Sequence, residues 1–296
     1  KGPCMSPEPV YDDGGMTDPR IGFVKQLTDG DLRVLSVATG GTPEELRARL
    51  LAEPAEVDRL LADERVVAAL FAGEFDAAIS PWLVFGVAVH HAAADLQDAS
   101  FVTERVVGAG RLPVFDVGPL RELVSTVERR MYLVGLLVSF TRIAGGVRWV
   151  RTPRGMRRRR WSELDPFHLA ELVDEVAAWQ RPALLRRMGD VALFLVGAYP
   201  QATSSLKVEP QRLVRLARSA GLDPGGAYEL TLGSEGMVGL LEVAGARWYR
   251  EAAAAGVFVS VLEEFAERFP TARRFLGQLT DRYLHRIDTD WLPRPA

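Results

Sequence analysis

This sequence predicts a mainly α fold: a single bundle-like domain of many helices carrying one short β-hairpin. Three observations carry that expectation. Apolar residues recur at intervals of three and four through most of the chain, the period of one helical face. Two runs, "YLVGLLVSF" (132–140) and "LLRRMGDVALFLVGAY" (184–199), are apolar on nearly every side, the pattern of a central helix surrounded by others. One segment, built around "VRWV" and "RRRRW", interrupts the helical period with residues that favour extended backbone. No fixed-period repeat and no alternation of strands with helices is present, so eight to twelve helices and a single hairpin are expected.

Taken in order, residues 1–19 carry Pro3, Pro7, Pro9 and Pro19 with Asp12-Asp13-Gly14-Gly15, and read as a flexible tail before a domain over 20–290. Gly40-Gly41 opens a loop. Behind it Thr42 caps a helix over about 43–52, with Pro43 in its first turn and Glu45 placed for a capping box. A second helix is expected from Ala55 toward Phe71. Ser80-Pro81 repeats the cap-plus-proline signal, and Trp82, Phe85 and Val89 follow on one face. Leu120, Leu123, Val127, Val134 and Leu137 continue the pattern after Asp116-Val-Gly-Pro119. Beyond Asp165-Pro166, Leu169, Leu172, Val173, Val176 and Trp179 predict a helix that Pro182 interrupts. Asp190 introduces the second all-apolar run, either as its N-cap or as a buried partner of Arg186 or Arg187. One short helix is expected around 210–220. The last third holds stripes from Met237 to Trp248, from Phe258 to Phe269, and from Phe275 to Ile287, with Pro270 marking a helix–helix corner.

The hairpin, expected over 147–161, carries the one unusual charge pattern. Arg148, Arg151, Arg154, Arg157, Arg158, Arg159 and Arg160 fall within thirteen residues, while the whole chain has a formal net charge of -3. Total charge gives no reason to expect attraction of nucleic acid to the body at large, so any such attraction must be local. Guanidinium groups present a planar fork suited to phosphate or carboxylate oxygens. Strand alternation puts Arg157 and Arg159 on one face and Arg158 and Arg160 on the other. Trp149 and Trp161 are candidate platforms for bases, or pins that hold the hairpin to the helical body; the second role is the one expected.

Catalytic signals are absent. The only cysteine, Cys4, lies in the tail, which excludes a disulfide framework and a cysteine-based zinc site and accords with a cytoplasmic protein. His91 with Asp95, and Asp165 with His168, have the spacing of helical metal ligands, and Glu74, Glu104 or Glu128 could complete a set. The Glu-x-x-His pairs of carboxylate-bridged di-iron bundles are missing, as are His-Glu-x-x-His, a phosphate-binding loop and a nucleophile elbow. No metal and no cofactor are expected. No apolar run reaches the roughly 18–20 residues of a membrane span.

The stretches "SPWLVFGVAV", "VFDVGPL", "GDVALFLVGAYP" and "FAERFPTARRFLGQL" resemble, in order and spacing over roughly 75–284, a group of bacterial and archaeal all-helical proteins without assigned activity. The resemblance implies a single helical domain and no particular chemistry. From the residues, the expected function is non-catalytic binding of nucleic acid through the arginine-rich hairpin. The alternatives are an adaptor that docks an acidic protein through the same hairpin, and a helical-bundle metalloenzyme with histidine and carboxylate ligands.

Overall fold

The computed structural model describes residues 18–71, 79–106, 110–152, 155–284 and 292. Among them are sixteen α-helices and two separate two-stranded antiparallel sheets, and 70% of the structure is helical. The mainly α class is therefore as expected, with more and shorter helices.

Helix starts follow the local signals. In the N-terminal part, α1 (Pro19–Gln26) begins behind an Asp18 cap, so Asp18 and Pro19, expected in the tail, belong to the first helix and its cap, and the rest of the expected tail lies outside the described residues. Capping boxes at Thr28 and Thr42 open α2 (Asp29–Thr39) and α3 (Pro43–Ala52); at the second, Thr42 N donates to Glu45 Oε2 at 2.9 Å. The single helix expected from Ala55 to Phe71 is two, α4 (Glu56–Leu61) and α5 (Glu64–Phe71). The break occurs because Asp63 offers its carboxylate to Arg65 N at 2.8 Å and so starts a new helix. Ser80 caps α6 (Pro81–Asp98) as expected.

The long pattern after Asp116 is likewise divided, into α7 (Gly118–Leu123) and α8 (Val127–Ser139). After the basic hairpin, Asp165 caps α9 (Pro166–Leu172). The stripe read on to Trp179 ends seven residues early, and Trp179 sits 79% exposed on a short 3₁₀ turn, Ala178–Gln180. Pro182 then serves the first turn of α10 (Arg181–Ala198), where a missing N–H costs nothing. Residues 200–236 hold three helices instead of one: α11 (Pro200–Ser204), α12 (Pro210–Ser219) and α13 (Pro224–Leu232), each with proline in its first turn. The stripes of the last third form α14 (Met237–Ala254), α15 (Val259–Glu267) and α16 (Phe269–Leu279), and Pro270 does mark the corner between the last two. A π turn, Thr280–Leu284, follows.

The second sheet was not expected. Strands β1 (Val102–Val106) and β2 (Gly110–Val114) pair from Val102↔Val114 to Val106↔Gly110. Pro113 in β2 weakened the signal, since proline reads against a strand unless the strand is at an edge; in a two-stranded ribbon every strand is an edge.

One continuous hydrophobic core joins most of these elements. At its centre lies α10, whose residues from Met188 to Ala198 are all buried. It packs most extensively on α14, and also on α16. Side chains would keep these helices apart at two places. A Cβ on Gly189 would stand 2.5 Å from the Tyr249 ring, and one on Gly245 would stand 2.4 Å from the Phe269 ring. Glycine at each lets an aromatic ring fill the space that a side chain would occupy.

Asp190 is not an N-cap. It lies in the middle of α10, 3% exposed, and its Oδ1 accepts from Tyr132 of α8 at 2.5 Å and from Tyr249 of α14 at 2.8 Å. Arg186 Nε stands 3.7 Å from its Oδ2 and lies over the Phe258 ring, so the alternative expected role, a buried arginine partner, is the one realised. Burial first, and then the Asp190 charge, push both phenols well above their ordinary pKa, so they remain donors. Tyr249→Phe leaves that carboxylate short of a bond and is expected to lower stability by about 1–3 kcal/mol. Urea midpoints measure it; a loss below about 0.5 kcal/mol, the range of neutral surface changes, would show that the triad contributes little.

Candidate functional site

The basic segment forms the second ribbon, β3 (Gly145–Thr152) and β4 (Gly155–Ser162), slightly longer than the expected 147–161. Its register runs from Gly145↔Ser162 to Thr152↔Gly155. Gly155 has φ +110°, a conformation that L side chains rarely adopt. Arg154, one of the candidate contacts, lies with Pro153 outside the described residues.

The base of the ribbon is held firmly. Glu163 N donates to Ala144 O at 2.9 Å, and Ala144 N donates to Glu163 Oε2 at 3.1 Å. Arg187 of α10 then donates to Glu163 Oε1 at 2.7 Å and to Ser139 Oγ at 2.7 Å, with its guanidinium over the Phe140 ring. Trp161 is half-buried, its ring 5.5 Å from that of His168 on α9 and its indole against Gly146. The expected pinning role is thus filled by Trp161.

Trp149 differs. It is 61% exposed, and the expectation that it pins the hairpin is corrected. Partners in register share a face, which sets Val147 with Arg160, Trp149 with Arg158, and Arg151 with Met156 on one side. All six are exposed. The opposite set pairs Gly146 with Trp161, Arg148 with Arg159, and Val150 with Arg157; of these, Arg157 is exposed as well. Arginines therefore face solvent on both sides of the ribbon, and Arg148 and Arg159 occupy opposed register positions. Sequence alone could not separate the two tryptophans, because their sides depend on the pairing register as well as on alternation within each strand.

Many arginines of the body are used differently, although Arg33, Arg59, Arg142, Arg181, Arg215, Arg218 and Arg250 are exposed without a described ion pair. Arg20 bonds Asp18 at 2.6 Å and Asp58 at 2.8 Å. Arg212 bonds Asp165 at 2.6 Å, Arg274 bonds Glu104 at 2.5 Å, and Arg273 bonds Glu235 and Glu242 at 3.1 Å each. Among the described residues, no ion pair involves Arg151, Arg157, Arg158 or Arg160. The chain's formal -3 less the ribbon's +7 leaves -10 on everything else. A cleft is lined by Glu104, Glu235, Arg273, Arg274 and Gln278, and its arginines already have carboxylates.

The described histidines do not converge. His90 is buried with Nδ1 2.9 Å from Gly86 O and Nε2 3.0 Å from Asp58 Oδ1. His91 Nε2 stands 3.8 Å from Asp95, which accepts from Tyr283 at 2.5 Å. His168 Nδ1 lies 3.7 Å from Glu171, while Asp165 is committed to the α9 cap and to Arg212. Glu104 serves Arg274, and Glu128 is exposed. Glu74 and His285 lie outside the described residues, as does Cys4. Among the described residues, no group of three or more His, Cys, Asp or Glu side chains could hold a metal ion. No described helix is long and apolar enough to cross a membrane.

Asp58, which sequence reasoning missed, is the hub of one ion cluster. Burial acts to raise its pKa, but hydrogen bonds from His90 and Arg130, with the charges behind them, hold the carboxyl well below the usual range. Nothing in "EVDRLL" marked it, since its partners come from α1, α6 and α8. A depressed folded-state pKa means that the stabilisation is whole above the unfolded value of about 3.9, and is lost as pH falls from there toward the folded value. Asp58→Asn is therefore expected to be less stable than wild type at neutral pH, with the gap in urea midpoints closing below about pH 4. A gap independent of pH would show that the charge of Asp58 is not what stabilises the cluster.

No family model, curated protein or solved structure matches this chain.

Proposed function

We propose that the ribbon Gly145–Ser162 binds nucleic acid through its phosphates and that the protein is non-catalytic. The observation that supports this reading best is a charge without internal use. Arg151, Arg157, Arg158 and Arg160 are exposed without a carboxylate partner, and no acidic residue occurs between 145 and 162. Like charges at opposed positions of a two-stranded ribbon are destabilising, and the Arg148↔Arg159 register places one such pair there. An external polyanion relieves this repulsion. The rest of the chain sums to a formal -10, which disfavours a polyanion over the body as a whole.

A second reading, docking to an acidic protein, draws on Trp149 and Met156, at 61% and 60% exposure. Tryptophan, methionine and arginine are enriched at protein interfaces. A salt series separates the two. Replacing Arg157, Arg158, Arg159 and Arg160 with glutamine is expected to leave the fold intact, because exposed charge contributes little to stability. Binding to oligonucleotides should weaken irrespective of sequence, and the log–log salt slope should flatten by up to about 3.6, four phosphates at 0.9 each for duplex. Absence of binding by the wild type at low salt would reject the nucleic-acid reading in favour of the acidic partner. Tight binding that ignores the four substitutions would place the contact on another surface.

A further inference from the structure

The two faces of the ribbon are not equivalent, and we infer that its Trp149 face takes single-stranded nucleic acid, with a base stacked on the indole and the neighbouring phosphates on Arg158 and Arg160. This rests on the nucleic-acid reading above and names its substrate class.

Three features of that face carry the inference. Trp149 is directly opposite Arg158 in register, with Met156 and Arg160 at the two diagonal positions, about 7–8 Å away and within reach of long side chains. A flat exposed ring is therefore bordered by two arginines of the same strand, whose backbone positions are about 6.8 Å apart along it. Next, the apolar members Val147, Trp149 and Met156 are all substantially exposed, and each is directly opposite an arginine in register: Arg160, Arg158 and Arg151 respectively. Finally, the ribbon is braced at its base by Trp161 against His168 and by Glu163 with Arg187, so the platform is held out from the body.

Duplex fits this face poorly. Base faces in a duplex are already stacked on one another, and exposing one costs unstacking energy. A ribbon lying in the major groove meets base edges that display donors and acceptors, and here it would press tryptophan, valine and methionine against them. Unpaired bases offer a free π-face to an aromatic ring irrespective of sequence, while arginines track the backbone.

Fluorescence anisotropy with the full chain tests this, using three labelled probes: an oligothymidylate, an abasic strand of equal length, and a duplex. Wild type is expected to bind oligothymidylate roughly tenfold or more tighter than the abasic strand, the worth of one stacked base, and also tighter than the duplex. Trp149→Ala should lose that preference and keep the salt slope, whereas Trp149→Phe should retain most of it. Because Trp149 is exposed, neither variant disturbs the core, and unchanged urea midpoints verify this. Equal affinity for all three probes, or a Trp149→Ala variant that still prefers oligothymidylate, overturns the inference and leaves the phosphate-binding reading standing. No binding to any probe at low salt overturns both.

Discussion

A carboxylate cannot be left alone in a hydrocarbon core. Transferring an unpaired charge to such surroundings costs far more than the few kcal/mol by which a domain is stable. Asp190 sits in the middle of α10 among residues that are otherwise apolar, so the fold must bring donors to it. They come from helices on either side: Tyr132 from α8, Tyr249 from α14, and Arg186 from one turn earlier in α10. Satisfying that one group fixes the order and rotation of the three central helices. The adjacent Gly189 makes room for the very ring, that of Tyr249, whose hydroxyl completes the set. Apolar packing alone tolerates many arrangements of similar volume; the directed hydrogen bonds at Asp190 select among them.

Away from that centre, charge is sorted by use. Many arginines of the helical body are drawn into pairs that join distant elements, as Arg20 and Arg130 do on Asp58, Arg212 does on Asp165, and Arg274 does on Glu104. Each is partly shielded, so its Coulombic gain is less screened than at an open surface. Arg151, Arg157, Arg158 and Arg160 of the ribbon have none of this: among the described residues they form no ion pair with the body. Arg187 marks the boundary between the two uses, since it belongs to the core helix yet closes on Glu163 at the ribbon's foot.

Much of this was legible from local sequence, because local sequence is what decides helix starts. Thr42-Pro43 with Glu45, and Ser80-Pro81, carry their own hydrogen-bond partners within three residues, so they fold as they read. The apolar-all-round run after Asp190 could only be central. What was not legible depends on residues far apart in the chain. Asp190 reads either as a cap or as a partner of a nearby arginine, and its two phenol donors, which the sequence did not show, stand 58 and 59 residues away. Trp149 and Trp161 look alike until the register between β3 and β4 separates their sides. The splitting of the expected Ala55–Phe71 helix rests on Asp63 preferring a cap to a continuing turn, a choice of small energy that periodicity does not see.

The ribbon's foot has one further consequence. Gly145 and Ser162 are register partners, so the chain leaves the helical body and returns to it at a single point. Everything between those two residues is topologically a graft: it could be excised and replaced by a tight turn without rethreading any helix. Lengthening, shortening or recharging this arm asks nothing of the core, so descendants of this chain could change what they grip while inheriting the same scaffold.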